Sequence, residues 1–172
     1  MAIKRKFRGW LWLLVLVVGL GVLGVALARP QASAAAVEVV YEQPVRAVHE
    51  PLGLSSEPVS LTAQDGAARV DLPENFYDFG SISVRDIVRR DFLVINRGSA
   101  NLVLQRAYTT CACTTAELTA TVIPPGKASR VTVIYNPGVH PSAGQTVRRG
   151  LVLETNDPDH PRVELWVQAR VK

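Results

Sequence analysis

Two cysteines, three histidines and one methionine are all that the 172 residues hold of the side chains most used for transition-metal or thiol chemistry. Both cysteines fall in one stretch, Thr109-Thr110-Cys111-Ala112-Cys113-Thr114-Thr115, so such chemistry is confined to one spot. Helix is equally scarce. Beyond Ala28 no segment keeps apolar residues at a 3.6-residue period, which excludes a helical domain. A glycine-rich phosphate loop, a nucleophile elbow and a carboxylate pair with an evident base are all missing, so the chain reads as no hydrolase and no enzyme. Asp86, Asp91 and Asp157 are expected as turn residues or solvated strand faces, with Asp157 before Pro158 in an Asx-type turn.

The exported part of the chain has no surplus charge. The formal net charge is +4, and Lys4, Arg5, Lys6 and Arg8 supply all of it, leaving 15 basic and 15 acidic side chains after residue 9. A basic surface for nucleic acid is therefore not expected. The basic start, residues 1–9, precedes an uncharged apolar run of 19 residues, 10–28. As a helix that run would measure roughly 28 Å, enough to cross a hydrocarbon core. It is longer than the apolar region of a cleavable signal, and is read as a transmembrane anchor. Ala26-Leu27-Ala28 and Ala32-Ser33-Ala34 nonetheless have the small-residue pattern of a cleavage site. In either case the basic start stays in the cytoplasm and the rest is exported.

Residues 29–65 hold Pro30, Pro44, Pro51 and Pro58 and keep no period of 3.6 or 2, the mark of an extended linker. Val37–Tyr41 is a short extended piece within it, and His49 is expected to be solvated. From residue 66 the texture changes to short β-rich runs separated by turn residues. Seven strands are expected: Arg69–Leu72, Phe76–Val84, Ile87–Asn96, Leu102–Tyr108, Ala128–Tyr135, Thr146–Thr155 and Arg162–Val171. In the last, Val163, Leu165, Val167, Ala169 and Val171 alternate with polar residues. Trp166 falls on the polar face, where packing over a neighbouring strand is expected. Phe92, Val94, Val133, Leu153, Leu165 and Val167 are the expected core. At Asn96-Arg97-Gly98-Ser99 the expectation is a turn using the tolerance of Asn and Gly for positive φ.

On an extended strand Cys111 and Cys113 point to the same face with α-carbons about 6–7 Å apart, near the upper limit for a disulfide. The pair closes if the backbone turns there; otherwise it is a two-thiol patch suited to a soft metal or to exchange, or is simply buried. Copper and zinc are the candidate metals, with His140 and His160 the only imidazoles in the domain.

Tyr77-Asp78-Phe79-Gly80-Ser81-Ile82, the Asn96-Arg97-Gly98 turn, Thr110-Cys111-Ala112-Cys113-Thr114, Ile123-Pro124-Pro125-Gly126-Lys127 and Thr155-Asn156-Asp157-Pro158 together resemble a bacterial family of domains of unknown function, DUF1573. Its members look like immunoglobulin-type sandwiches related to the HYDIN and major-sperm-protein-like domains. The resemblance covers residues 66–172 and implies an all-β, immunoglobulin-like antiparallel sandwich. Ala112 departs from it, since the family usually has Gly between the cysteines. The chain thus reads as a membrane-anchored extracytoplasmic module that binds or scaffolds envelope proteins, held to the membrane by its N-terminal helix. The rival reading is a Cys111/Cys113 metal-binding or thiol-redox domain.

Overall fold

Strand β11 (Arg162–Val171) keeps the alternation of its sequence. Leu165, Val167, Ala169 and Val171 are buried, while Arg170 between the last two is exposed. The protein is described by a computed structural model covering residues 36–49, 52–53 and 67–172. β11 pairs antiparallel with β10 (Thr146–Thr155) from Thr146↔Arg170 to Glu154↔Arg162. Its other edge carries β4 (Phe76–Ile82), which runs parallel to it. The all-antiparallel expectation fails there. Hairpins force antiparallel pairing, but β4 and β11 are joined only through the whole intervening domain, so their direction is not fixed by a turn.

Two sheets result. One has the order β1 (Val45–Ala47), β7 (Thr114–Leu118), β9 (Ala128–Tyr135), β5 (Val88–Asn96) and β3 (Val70–Asp71). The other runs β2 (Leu52–Gly53), β6 (Leu102–Thr109), β10, β11 and β4, with β8 (Val122–Ile123) also paired to β6. Among the described residues there is no α-helix, only a single 3-10 turn at Pro137–Val139.

The six expected core residues all point between the sheets. Phe92, Val94, Val133, Leu153, Leu165 and Val167 are each no more than 2% exposed and share one apolar cluster. Burying each such side chain contributes about 1.5–3 kcal/mol. Leu93 faces out of its sheet and is 37% exposed, which fits its place in the opposite phase of β5.

Trp166 packs over a neighbouring strand. A Cβ on Gly150 of β10 would lie 2.9 Å from the indole ring, so glycine is what lets the ring lie flat there. Gly80, at φ 70°, makes a bulge in β4: Asp78 faces Gln168 and Ser81 faces Arg170, so Phe79 and Gly80 together oppose Ala169. At Gly98 the expected reason was wrong. Positive φ is found at Gly80, Gly126 and Gly144, whereas a Cβ on Gly98 would sit 2.2 Å from the Ala67 carbonyl oxygen. Close approach of two backbones, not handedness, requires glycine at that turn.

The stretch 29–65, expected as an extended linker, pairs with the domain where it is described. The Val40 amide donates to the Ala128 carbonyl at 2.7 Å, and the Ala128 amide to that of Glu38 at 2.9 Å. β1 then pairs with β7 and β2 with β6, carrying the chain from one sheet to the other. Ala47 is fully buried. Val37–Lys172 forms one compact unit. No helix of the described residues is long and apolar enough to cross a membrane, and the apolar run at 10–28 lies outside them.

Candidate functional site

Four residues after the buried Ala107 of β6, the chain reverses. The Thr114 amide donates to the Cys111 carbonyl at 3.0 Å, closing a four-residue turn with Ala112 exposed at its tip. The turn draws the two α-carbons to 5.1 Å and the sulfurs are bonded to each other. Of the alternatives open in the sequence, the backbone takes the turn, and it does so with Ala at the position where Gly is usual.

The surrounding threonines hold the turn in place. Thr109 Oγ1 donates toward the Cys111 carbonyl at 3.1 Å and the Thr114 carbonyl at 2.9 Å. The Thr110 amide donates to the Gly150 carbonyl, and Thr110 Oγ1 accepts from the Gly150 amide, each at 2.9 Å. The two cysteines differ in burial: Cys113 is 3% exposed and belongs to the core cluster, while Cys111 is only partly buried against it.

One side chain at the disulfide was not picked out by sequence reasoning. Arg149 on β10 directs its Nε–H at Cys113 Sγ, 3.2 Å away, and its Nη1 donates to the Arg148 carbonyl at 2.9 Å. The β6–β10 register explains why: Leu151 faces Thr109, so the residue two before Leu151 comes level with the turn. His49 is exposed, as expected, and its Nδ1 lies 3.1 Å from the Thr109 carbonyl. Its only local signal was proximity to a proline-rich segment, and its contact is made sixty residues away in the chain.

The other two histidines do not join the cysteines. His160 lies 3.4 Å from Asp157 through Nδ1, and His140 follows the 3-10 turn. Among the described residues no group of three His, Cys, Asp or Glu side chains could hold a metal ion. A Cys111/Cys113 metal site would therefore require the disulfide to be reduced first and ligands from elsewhere, since thiolates and not disulfide sulfurs ligate.

Asp157 is a structural carboxylate. It is 1% exposed, with Oδ2 accepting from the Val70 amide at 2.8 Å and Oδ1 from the amides of Asp159 at 2.9 Å and His160 at 3.3 Å. Burial works to raise its pKa, but these donors, Val70 first, together with the nearby His160 ring hold it below the usual carboxylate value.

A second surface feature lies at the edge of the sheet. β4 ends its sheet, and no strand of the described residues pairs with its outer side. Across the face of that sheet Arg148 of β10 stacks on Phe76 of β4 at 5.1 Å and on Trp166 of β11 at 4.8 Å, and Arg90 of β5, in the other sheet, stacks on Tyr77 of β4 at 4.1 Å. Phe76 is 38% exposed.

Among solved structures, a protein of unknown function from Porphyromonas gingivalis W83 is similar at 22% identity and TM-score 0.54, over 60% of this chain and 46% of that one. The secreted serine protease VesC from Vibrio cholerae matches at 12% identity and TM-score 0.44, over 61% of this chain and 23% of that one. The PapD-like domain 7 of human CEP192 matches at 8% identity and TM-score 0.46, over 70% of this chain and 96% of that one. The chain thus spans less than half the length of the first two, and the likeness to the first shows a shared fold alone. No curated protein matches it. The family model described as a protein of unknown function, DUF1573, matches residues 70–171, and the chain belongs to that family.

Proposed function

We propose that this protein is an immunoglobulin-like binding or scaffolding module, tethered to the cell membrane by residues 10–28 and displayed outside the cytoplasm to other envelope proteins. The observation that carries the binding role is the open β4 edge next to an arginine and aromatic cluster, Arg148 of β10 with Trp166 of β11 and Phe76 of β4, on the face of the same sheet. An unpaired strand offers a row of backbone donors and acceptors to an extended segment of a partner, and aromatic and arginine side chains dominate binding hot spots. The basic start and apolar run support the address, and bonded cysteines fit an oxidising compartment.

A photo-crosslinking residue placed at Phe76 in growing cells tests the binding role. The expected result is a discrete protein adduct at Phe76 and none at Leu93, which is about as exposed but lies on the other sheet. No adduct at Phe76, or the same adduct from both positions, would reject β4 as the binding edge. The address is checked separately. Protease added to spheroplasts should digest the domain, and N-terminal sequencing of the isolated protein should not begin near Arg29 or Ala35.

A further inference from the structure

We propose that Cys111 and Cys113 form a thiol–disulfide exchange site, with Cys111 the sulfur that is attacked, Cys113 the sulfur that leaves, and Arg149 the group that receives the leaving charge. The proposal goes beyond the binding role and does not depend on β4.

The argument starts from a mismatch. A disulfide sulfur is a weak, uncharged hydrogen-bond acceptor, yet the guanidinium of Arg149 is aimed at Cys113 Sγ from 3.2 Å. Among the described residues Arg149 makes no ion pair with a carboxylate, and its remaining contact is to a backbone carbonyl. The contact is therefore better matched to a thiolate at Cys113 than to the bonded sulfur, because the guanidinium's charge attracts a full negative charge on a thiolate and finds none on the bonded sulfur. An arrangement that favours the broken state over the bonded one lowers the barrier to breaking it.

Access then assigns the two roles. Cys113 is buried in the core cluster, whereas Cys111 is partly exposed beside the exposed Ala112. An incoming thiolate reaches Cys111 Sγ. The bridge also encloses too few residues to add much stability through chain entropy, the two cysteines being two positions apart, so scaffolding explains it poorly.

The substrate class is a dithiol, a protein or peptide with two neighbouring cysteines. Its first thiolate attacks Cys111 Sγ, a mixed disulfide forms, and the Cys111–Cys113 bond breaks with its electron pair leaving on Cys113 Sγ beside Arg149. The second substrate thiolate attacks the substrate sulfur of that mixed disulfide, and Cys111 departs as a thiolate. The substrate leaves as a disulfide two electrons poorer, and Cys111 and Cys113 hold those electrons as a dithiol with the two protons the substrate gave up.

The full-length chain in mild detergent is treated with dithiothreitol as the model dithiol, and free thiols are counted by alkylation and mass spectrometry against time. Single variants are incubated with oxidised glutathione, and near-ultraviolet circular dichroism verifies the fold. Cys113→Ser is expected to form a mixed disulfide at Cys111 at least about tenfold faster than Cys111→Ser does at the buried Cys113. Arg149→Gln should slow reduction of the intact disulfide about tenfold and move the glutathione equilibrium toward the disulfide, with Arg149→Lys closer to the parent. Equal rates for the two cysteine variants would overturn the assignment of the attacked sulfur. A folded Arg149→Gln chain with the parent's rate and equilibrium would overturn the role of Arg149. A parent disulfide that dithiothreitol reduces only once the chain is unfolded would overturn the site itself.

Discussion

Asp157 shows how much one buried carboxylate holds together. It sits in the turn before β11, yet its strongest bond goes to Val70 in the opposite sheet, so it ties β3 to the far end of the chain. Asp157→Ala leaves the Val70 and Asp159 amides without acceptors and should destabilise the fold by about 1–3 kcal/mol, as read from denaturant midpoints. The pH dependence has a definite sign. The folded pKa lies below the unfolded one, so the stabilisation is fully present above the unfolded value of about 3.9 and is lost as pH falls through the folded value. The gap between parent and Asp157→Asn should thus be constant near neutrality and close in acid below about pH 4. A gap that persists unchanged there would mean the carboxylate's charge contributes nothing. The cysteine pair behaves differently at this scale. Its bridge closes a very short loop, so Cys111→Ser with Cys113→Ser should fold with a loss below about 2 kcal/mol. Failure of that double variant to fold would move the pair from site to core.

At the scale of the strand, period and burial agree in β9 and β11, whereas β6 and β10 bury runs of consecutive residues. β11 and β5 bury the residues that alternation selects, and Leu165→Ala or Phe92→Ala should each cost about 2–4 kcal/mol through lost burial and a residual cavity. Melts of these variants that match the parent would show that the register of either strand is wrong. Gly150→Ala on β10 belongs with them, since its methyl would strike the Trp166 ring. The cost should be about 1–3 kcal/mol, read from denaturant midpoints. Six of the seven strands legible in the sequence are those of seven residues or more, and β3, two residues long, was legible only from the β-rich texture of Arg69–Leu72. β7 was missed although Thr114, Ala116 and Leu118 are buried on alternate positions, because Thr and Ala are weak markers of an inward face. β1, β2 and β8 span only two or three residues, too few to show a period, and they exist because a longer strand offers them an edge. The cysteine pair was visible for the same local reason that Arg149 was not. Two cysteines two apart can be seen in one glance at the chain, whereas Arg149 reaches them only through the β6–β10 register, a pairing between segments forty residues apart that no local pattern encodes.

For the molecule as a whole, the segment before residue 54 decides where the folding unit begins. The family match starts at residue 70, but Glu38 and Val40, then β1, then β2 pair with β9, β7 and β6 in turn, and Ala47 has no exposed surface. Lys127 also forms an ion pair with Glu38, and Arg130 donates to the Tyr41 hydroxyl at 2.9 Å. These surface contacts contribute little singly, about 0–1 kcal/mol each. The backbone ladder matters more, because removing it uncovers the outer edge of β7, which then presents unpaired groups to any other chain. A chain starting at Val37 should therefore match the full-length protein in denaturant midpoint and remain at the same oligomeric state as concentration rises. One starting at Ala67 should lose at least about 3 kcal/mol, from several ladder bonds and the burial of Ala47, and should associate through β7 in sedimentation experiments. Equal midpoints for the two truncated chains would show that residues 37–53 only lie on the domain, and that the sandwich closes without them.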